Sequence, residues 1–214
     1  MNKPLDSGPT AGERFINGIL PENPVYRQLL GMCPVLAVTA GVKSALTMAG
    51  ATAFVLICAN IITSIIRGLL KPHLRILVFT LTIATFVTIA DRLLAAFLPG
   101  MSDELGPYVP LIIVNCIIIS RCEACSSKQS LGPSIADAFG YSIGFAIALL
   151  SISIPRELLG AGTLMGFTIP GFTDNWVGWG ILVLPPGAFL TLGLLLSGME
   201  WFGQKRKQAQ QVGG

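Results

Sequence analysis

Charge is the scarcest resource in this sequence. Only 12% of its 214 residues are charged, where a soluble domain carries about 25%. The chain has one histidine, and nothing in it resembles a phosphate-binding glycine loop, a catalytic triad or a nucleotide fold. The first 27 residues lack the apolar core that a cleavable signal peptide needs, so targeting is expected to come from the first membrane segments. The net charge is only +3, and no basic run points to nucleic acid as a partner. What remains is apolar: 52% hydrophobic residues and a mean hydropathy of +0.71. The apolar residues fall in several long runs, which excludes a soluble domain on a single anchor and makes the lipid bilayer the solvent.

A helix needs about 20 residues to cross the hydrocarbon core. Residues 44–66, 76–98, 134–154 and 175–199 meet that length, the last interrupted by Pro185-Pro186, where freed carbonyls need new partners. Two further apolar segments, roughly 28–42 and 108–120, are shorter and read as half-helices or broken spans. Six crossings divide the Lys and Arg residues unevenly. Lys3, Arg14, Arg27, Arg67, Lys71, Arg75, Arg121, Lys128, Lys205, Arg206 and Lys207 fall on one side, and Lys43, Arg92 and Arg156 on the other. The positive-inside rule then predicts that both termini are cytoplasmic.

The order is short segment, long span, long span, and then the same again. With three crossings per half, the second half inserts upside down relative to the first. The expected fold class is therefore an all-α integral membrane protein. It has six transmembrane helices in two inverted-topology three-helix repeats, the first helix of each repeat short or broken. Residues 1–27 form a cytoplasmic N-terminal segment and 28–200 the membrane domain. The first repeat covers about 28–98 and the second about 108–200, with a loop at 99–107 between them and a cytoplasmic tail at 201–214.

Each short segment holds a thiol. The first reads Leu29-Leu30-Gly31-Met32-Cys33-Pro34-Val35-Leu36 and the second Ile112-Ile113-Val114-Asn115-Cys116-Ile117-Ile118-Ile119. Matching broken segments are expected to meet near the bilayer midplane. Two thiolates there suit iron–sulfur, zinc or copper(I) ligation, or a redox disulfide. Free cysteines are also among the most buried residues, and packing alone would account for either thiol. A [2Fe–2S] cluster takes four Cys ligands, so Cys33 and Cys116 would supply half and a sister subunit the rest. Cys122-Glu123-Ala124-Cys125 offers a rival grouping with Cys116 and Cys33. On a continuous helix, however, Cys122 and Cys125 lie about 9 and about 13 Å along the axis from Cys116, at about 1.5 Å per residue. Cys58, in a continuous span, reads as core.

The remaining polar groups are expected at span ends. Asp91 and Arg92, and Arg156 and Glu157, read as local charge pairs, and Asp137 as the entry to a span. His73, after Pro72 in a basic loop, reads as a surface residue. Trp176, Trp179 and Trp201 read as interface anchors around the last span.

Three stretches also carry a family resemblance: Asn23-Pro24-Val25 with Gln28 through Thr39, Pro110 through Ile119, and Arg156-Glu157-Leu158-Leu159-Gly160. Over about residues 15–202 the chain resembles the E-type subunit of the Rnf electron-transport complex. It is similar, more weakly, to the D-type subunit of the sodium-pumping NADH:quinone oxidoreductase. The resemblance implies a membrane component of a complex that links ferredoxin oxidation to NAD reduction and to Na⁺ or H⁺ movement. It implies an intramembrane [2Fe–2S] cluster shared with the homologous A-type subunit, with Cys33 and Cys116 as this chain's iron ligands. It implies further partners in the B, C, D and G subunits of the Rnf complex, a bacterial inner-membrane location, no flavin on this chain, and no catalytic activity apart from the complex. The chain departs from the family pattern at Ser120-Arg121-Cys122-Glu123-Ala124-Cys125, where the family commonly has Gly-Arg-Ala-Glu-Ala-Phe. An inverted-repeat secondary transporter is the reading from another functional class.

Overall fold

A computed structural model describes residues 23–66, 68, 72–126, 131–165, 167–168 and 180–212. Most of the expected N-terminal segment lies outside the described residues, as do Arg67, Lys71, Lys128, Trp176, Trp179 and the side chains of Cys125 and of the tail beyond Trp201. Seen in order, the elements are α1 (Met32–Val38), α2 (Val42–Ile66), α3 (Arg75–Phe97), α4 (Pro99–Leu105), α5 (Cys116–Arg121), α6 (Leu131–Ala161), α7 (Gly180–Val183) and α8 (Pro185–Val212). A 3-10 turn at Val109–Ile112 precedes α5 and a π-turn at Cys122–Ser126 follows it. The only sheet among the described residues is a two-residue pairing of Thr163–Leu164 with Phe167–Thr168.

Helices α2, α3 and α6 are each long and apolar enough to cross a membrane, and a fourth span results if α4 and the segment Val109–Ala124, bent by 69°, are taken together. These three helices match the expected spans 44–66, 76–98 and 134–154 to within a turn or so at most ends; α6 runs two turns further at its C-terminus. One expectation changes: the loop at 99–107 contains a helix, α4, which starts with Pro99 at its first position, where a missing N–H costs nothing. The expected span 175–199 is described only from residue 180. It is broken between α7 and α8 just before Pro185-Pro186.

The centre of the molecule is the α2–α6 pair. Ala45, Met48, Ala49, Val55, Leu56 and Ala59 of α2 and Ala138, Tyr141, Phe145, Ala148, Leu149 and Ile152 of α6 are buried. Both sets recur at three- and four-residue spacing, which is one face of a helix. The alanines let the two backbones approach, as packing between helices in lipid requires. Helix α3 buries only the stripe Phe79, Ile83, Val87 and Ala90 and exposes Ile76, Leu77, Leu81, Ile89, Leu93 and Phe97. The hydroxyls of Thr80, Thr82, Thr85 and Thr88 on α3 donate to carbonyls three or four residues back, so they carry no unpaired polar atom into an apolar solvent.

Candidate functional site

The first thiol segment is fixed against α6 before it turns. Asn23 Oδ1 accepts the backbone N–H groups of Val25 and Tyr26, and its Nδ2 donates to Gly144 O at 3.0 Å. The Tyr26 hydroxyl pairs with Ser151 Oγ, and Gln28 Nε2 donates to the Tyr141 hydroxyl at 3.0 Å. The chain then reverses through two left-handed residues, Leu29 at φ 54° and Gly31 at φ 74°, and α1 begins. Cys33 is its second residue and is exposed.

Asn115 does the equivalent work in the second segment. Its backbone is extended, and its Oδ1 accepts the N–H of Ile117 at 3.1 Å. That is an N-cap, the side-chain substitute for the missing preceding turn. Helix α5 therefore begins at Cys116, which is half-buried.

The two segments touch at the second thiol. The N–H of Gly31 donates to Cys116 Sγ at 2.8 Å. A Cβ on Gly31 would lie 2.5 Å from Ile117 Cδ1 and 3.2 Å from Phe145 Cε2. Glycine is required there twice over, by the left-handed φ and by the approach of Ile117. Beside Cys116 runs an open groove of about 530 Å³ lined by Leu30, Ile76, Phe79, Val114 and Ile119, with the Arg75–Glu123 ion pair (3.3 Å) at its edge.

The other thiols point elsewhere. Cys122 is buried and its Sγ donates to Asn60 Oδ1 on α2 at 3.4 Å, so it serves the α2 contact rather than the Cys116 groove. Cys58 is half-buried within α2. Among the described residues no group of three or more His, Cys, Asp or Glu side chains converges as a metal site. Two soft thiols, each within the first two residues of a short helix and carried by touching segments, are of the donor type that an iron–sulfur cluster takes. The exposure of Cys33 and the open groove at Cys116 leave room for ligands from a second chain.

The charged residues differ from expectation. Among the described residues, neither Asp91–Arg92 nor Arg156–Glu157 forms an ion pair. Asp91 instead lines a small cleft with Gly106, Val109 and Ile113. Arg156 is 1% exposed. It donates to the carbonyls of Leu182 and Val183 at 2.9 Å and of Leu184 at 3.1 Å, and to Thr39 Oγ1. These carbonyls lie at the break before Pro185-Pro186, where Leu184 O also accepts the Gly187 N–H, and the contacts tie the end of α7 to the end of α1. Glu157 Oε2 accepts the N–H of Val42 at 2.6 Å, and so caps α2 with negative charge at its positive end. Asp137 is 1% exposed and forms a bidentate pair with Arg121, Nε to Oδ2 at 2.8 Å and NH2 to Oδ1 at 2.7 Å. The Arg121 guanidinium lies 4.0 Å from the centre of the Tyr141 ring. His73 is exposed, as expected. The sequence signal for these pairings was the presence of acids and arginines beside apolar runs, which gives a neighbour but not a partner.

Comparison with known proteins agrees that this is a membrane protein. The family of Rnf-Nqr subunits, which are membrane proteins, matches residues 11–196. The E subunit of the Na(+)-translocating ferredoxin:NAD(+) oxidoreductase complex of Acetobacterium woodii is 43% identical over 193 residues, 90% of this chain and 97% of its own. The E subunit of an ion-translocating oxidoreductase complex of Methanosarcina acetivorans is 40% identical, covering 94% and 93%. The E subunit of the proton-translocating ferredoxin:NAD(+) oxidoreductase complex of Clostridium ljungdahlii is 35% identical, covering 89% and 88%. The chain belongs to the Rnf-Nqr family of membrane subunits.

Proposed function

We propose that this chain is the E-type electron-relay component of an ion-translocating ferredoxin:NAD⁺ oxidoreductase complex. The relatives named as E subunits support this over the D-type subunit of a sodium-translocating NADH:quinone oxidoreductase and over a secondary transporter. Cys33 and Cys116 hold one side of an intramembrane [2Fe–2S] cluster, and the homologous A-type subunit provides the other two thiolates. When bound, such a cluster supplies one-electron transfer. The chain's own residues orient and shelter it: Asn115 starts α5 at Cys116, the Leu29–Gly31 reversal starts α1 beside Cys33, and Asn23, Tyr26 and Gln28 hold that reversal against α6. The observation that carries the reading is the Gly31–Cys116 contact, which joins the two thiol segments.

The architecture that goes with this function has six membrane crossings in two inverted repeats, about 28–98 and 108–200. Both termini are cytoplasmic, in a bacterial inner membrane. The 11-to-3 division of Lys and Arg supports it. Partners are the A, B, C, D and G subunits of the complex. Translocation belongs to the whole complex, and this chain has no catalytic activity alone. The relatives' names include both a sodium- and a proton-translocating complex, so membership of the family is compatible with either ion.

Co-expression with the A-type partner, anaerobic purification and EPR after reduction tests the proposal. A [2Fe–2S] signal of about one cluster per pair, as four Cys ligands shared two and two require, is expected. It should be lost in Cys33→Ala and in Cys116→Ala. An intact pair without iron, or a full signal in either variant, would overturn it.

A further inference from the structure

Cys33 and Cys116 begin matching short helices, but their sulfurs do not have matching surroundings. Cys116 Sγ accepts the Gly31 N–H at 2.8 Å. Cys33 is exposed, and its sulfur has no hydrogen-bond donor among the described residues. The donor is held from several directions. Leu30 N–H, one residue before, donates to Pro24 O at 2.8 Å, and Gly31 O accepts from Val35 at 3.4 Å. Ile117 and Phe145 close over the Gly31 Cα, and Phe145 is itself 1% exposed. The N–H is thus aimed at the sulfur by backbone that cannot rotate freely.

We propose that Gly31 is a positioning residue that sets the reduction potential at the site: its N–H···Sγ bond to Cys116 favours the reduced state and makes Cys116 the electronically distinct ligand. This rests on the reading of Cys33 and Cys116 as cluster ligands. Reduction adds one electron, taking the [2Fe–2S] core from +2 to +1. The electron comes from ferredoxin through the complex or, in the experiment below, from dithionite. No bond to the protein breaks, and the Gly31 proton stays on its nitrogen. The added negative charge is spread over the irons and sulfurs. A donor pointing at one of those sulfurs therefore stabilises the reduced form more than the oxidised one, and hydrogen bonds to sulfur are among the levers that set such potentials. In a site of low dielectric the difference is larger than it would be in water. The donor comes from the segment that carries Cys33 and the acceptor from the segment that carries Cys116. The same bond therefore makes the potential depend on the spacing of the two halves.

The test uses the intact complex, purified without oxygen, with this site's EPR signal identified as the one lost in Cys116→Ala. In Gly31→Ala the new Cβ collides with Ile117 and displaces the N–H. The reduction equilibrium should become about tenfold less favourable, a fall of about 59 mV for one electron. Gly160→Ala is the control for general packing damage. Its Cβ would lie 2.8 Å from Val183 Cγ2, a contact that involves neither thiol segment, and it should leave the potential unchanged. The wild-type protein gives an independent readout should Gly31→Ala fail to assemble. After labelling with ¹⁵N-glycine, pulsed EPR of the reduced site should show one weakly coupled ¹⁵N and one exchangeable proton. A cluster with neither coupling, or a Gly31→Ala cluster at the wild-type potential, would overturn the role of Gly31 while leaving the ligands intact. Absence of the cluster from the wild-type complex would overturn the ligand reading, and this proposal with it.

Discussion

Arg156 does by itself what a turn of helix would otherwise do. The break before Pro185-Pro186 leaves the carbonyls of Leu182 and Val183 to the Arg156 guanidinium, while Leu184 O accepts both Arg156 and the Gly187 N–H. A planar fork of five N–H donors suits the task, and a lysine does not. Arg156→Leu should therefore destabilise the protein by about 1–3 kcal/mol for each buried acceptor left bare. Arg156→Lys should recover only part of that loss. Thermal unfolding in detergent measures both, and equal stability of the Lys variant and wild type would contradict the fork geometry. Cys33 and Cys116 were legible in the sequence as candidate residues, because each thiol lies in a short, interrupted apolar segment; Gly31 was read only as part of the first of these segments. The partners of Arg156 were not legible, since three lie 26 to 28 residues further along the chain and Thr39 lies 117 residues before it. The neighbouring Glu157 offered a simpler pairing that the geometry does not use.

At the scale of elements, buried polar contacts hold the ends of helices, while apolar faces hold their middles. Glu157 caps α2, and Asn115 caps α5. Glu157→Ala should cost about 1 kcal/mol, the usual value of a cap. Glu157→Gln, which keeps an acceptor, should cost less, as chemical or thermal denaturation of the purified protein would report. The Arg121–Asp137 pair joins α5 to the first turns of α6. Both side chains are largely withdrawn from solvent, at 13% and 2% exposure. Removing one charge from such a pair costs about 3–5 kcal/mol, whereas replacing both with apolar residues costs far less. Arg121→Met and Asp137→Leu are each expected to be strongly destabilised and the double variant to recover much of the loss. Strictly additive effects would mean that the two charges act separately. The long helices were readable from apolar runs of 20 or more residues, and they appear close to where those runs lie. The short elements were readable as interruptions only. That Cys122 turns towards Asn60, and that 99–105 is helical, depends on α2 and α3 supplying the surfaces against which those residues pack.

The whole molecule presents an apolar surface that its own packing does not cover. Helix α3 leaves Ile76, Leu77, Leu81 and Phe97 each more than 60% exposed, as expected of a chain whose surroundings are lipid and other membrane subunits. The orientation proposed from Lys and Arg can be checked directly. Cysteine-reactive probes that do not cross the membrane should label single cysteines introduced at Lys43 and Arg92 from the periplasm. A cysteine at Lys205 should be labelled only after permeabilisation, and the reverse pattern would invert the topology. The inverted repeat itself was suggested by a rhythm of segment lengths. Rhythm fixes order along the chain but not contact, and the contacts that matter here run between distant parts of the sequence.

The anchors of the first thiol segment show what that distance entails. Asn23 reaches Gly144, Tyr26 reaches Ser151 and Gln28 reaches Tyr141, separations of 121, 125 and 113 residues. A ribosome adding about 5–20 residues each second therefore leaves Cys33 without its supporting helix for several seconds after its own segment emerges. The order of manufacture is thereby built into the fold: α6 must be made and inserted before the segment around Cys33 can take its final shape, which puts assembly of the proposed cluster after the synthesis of α6.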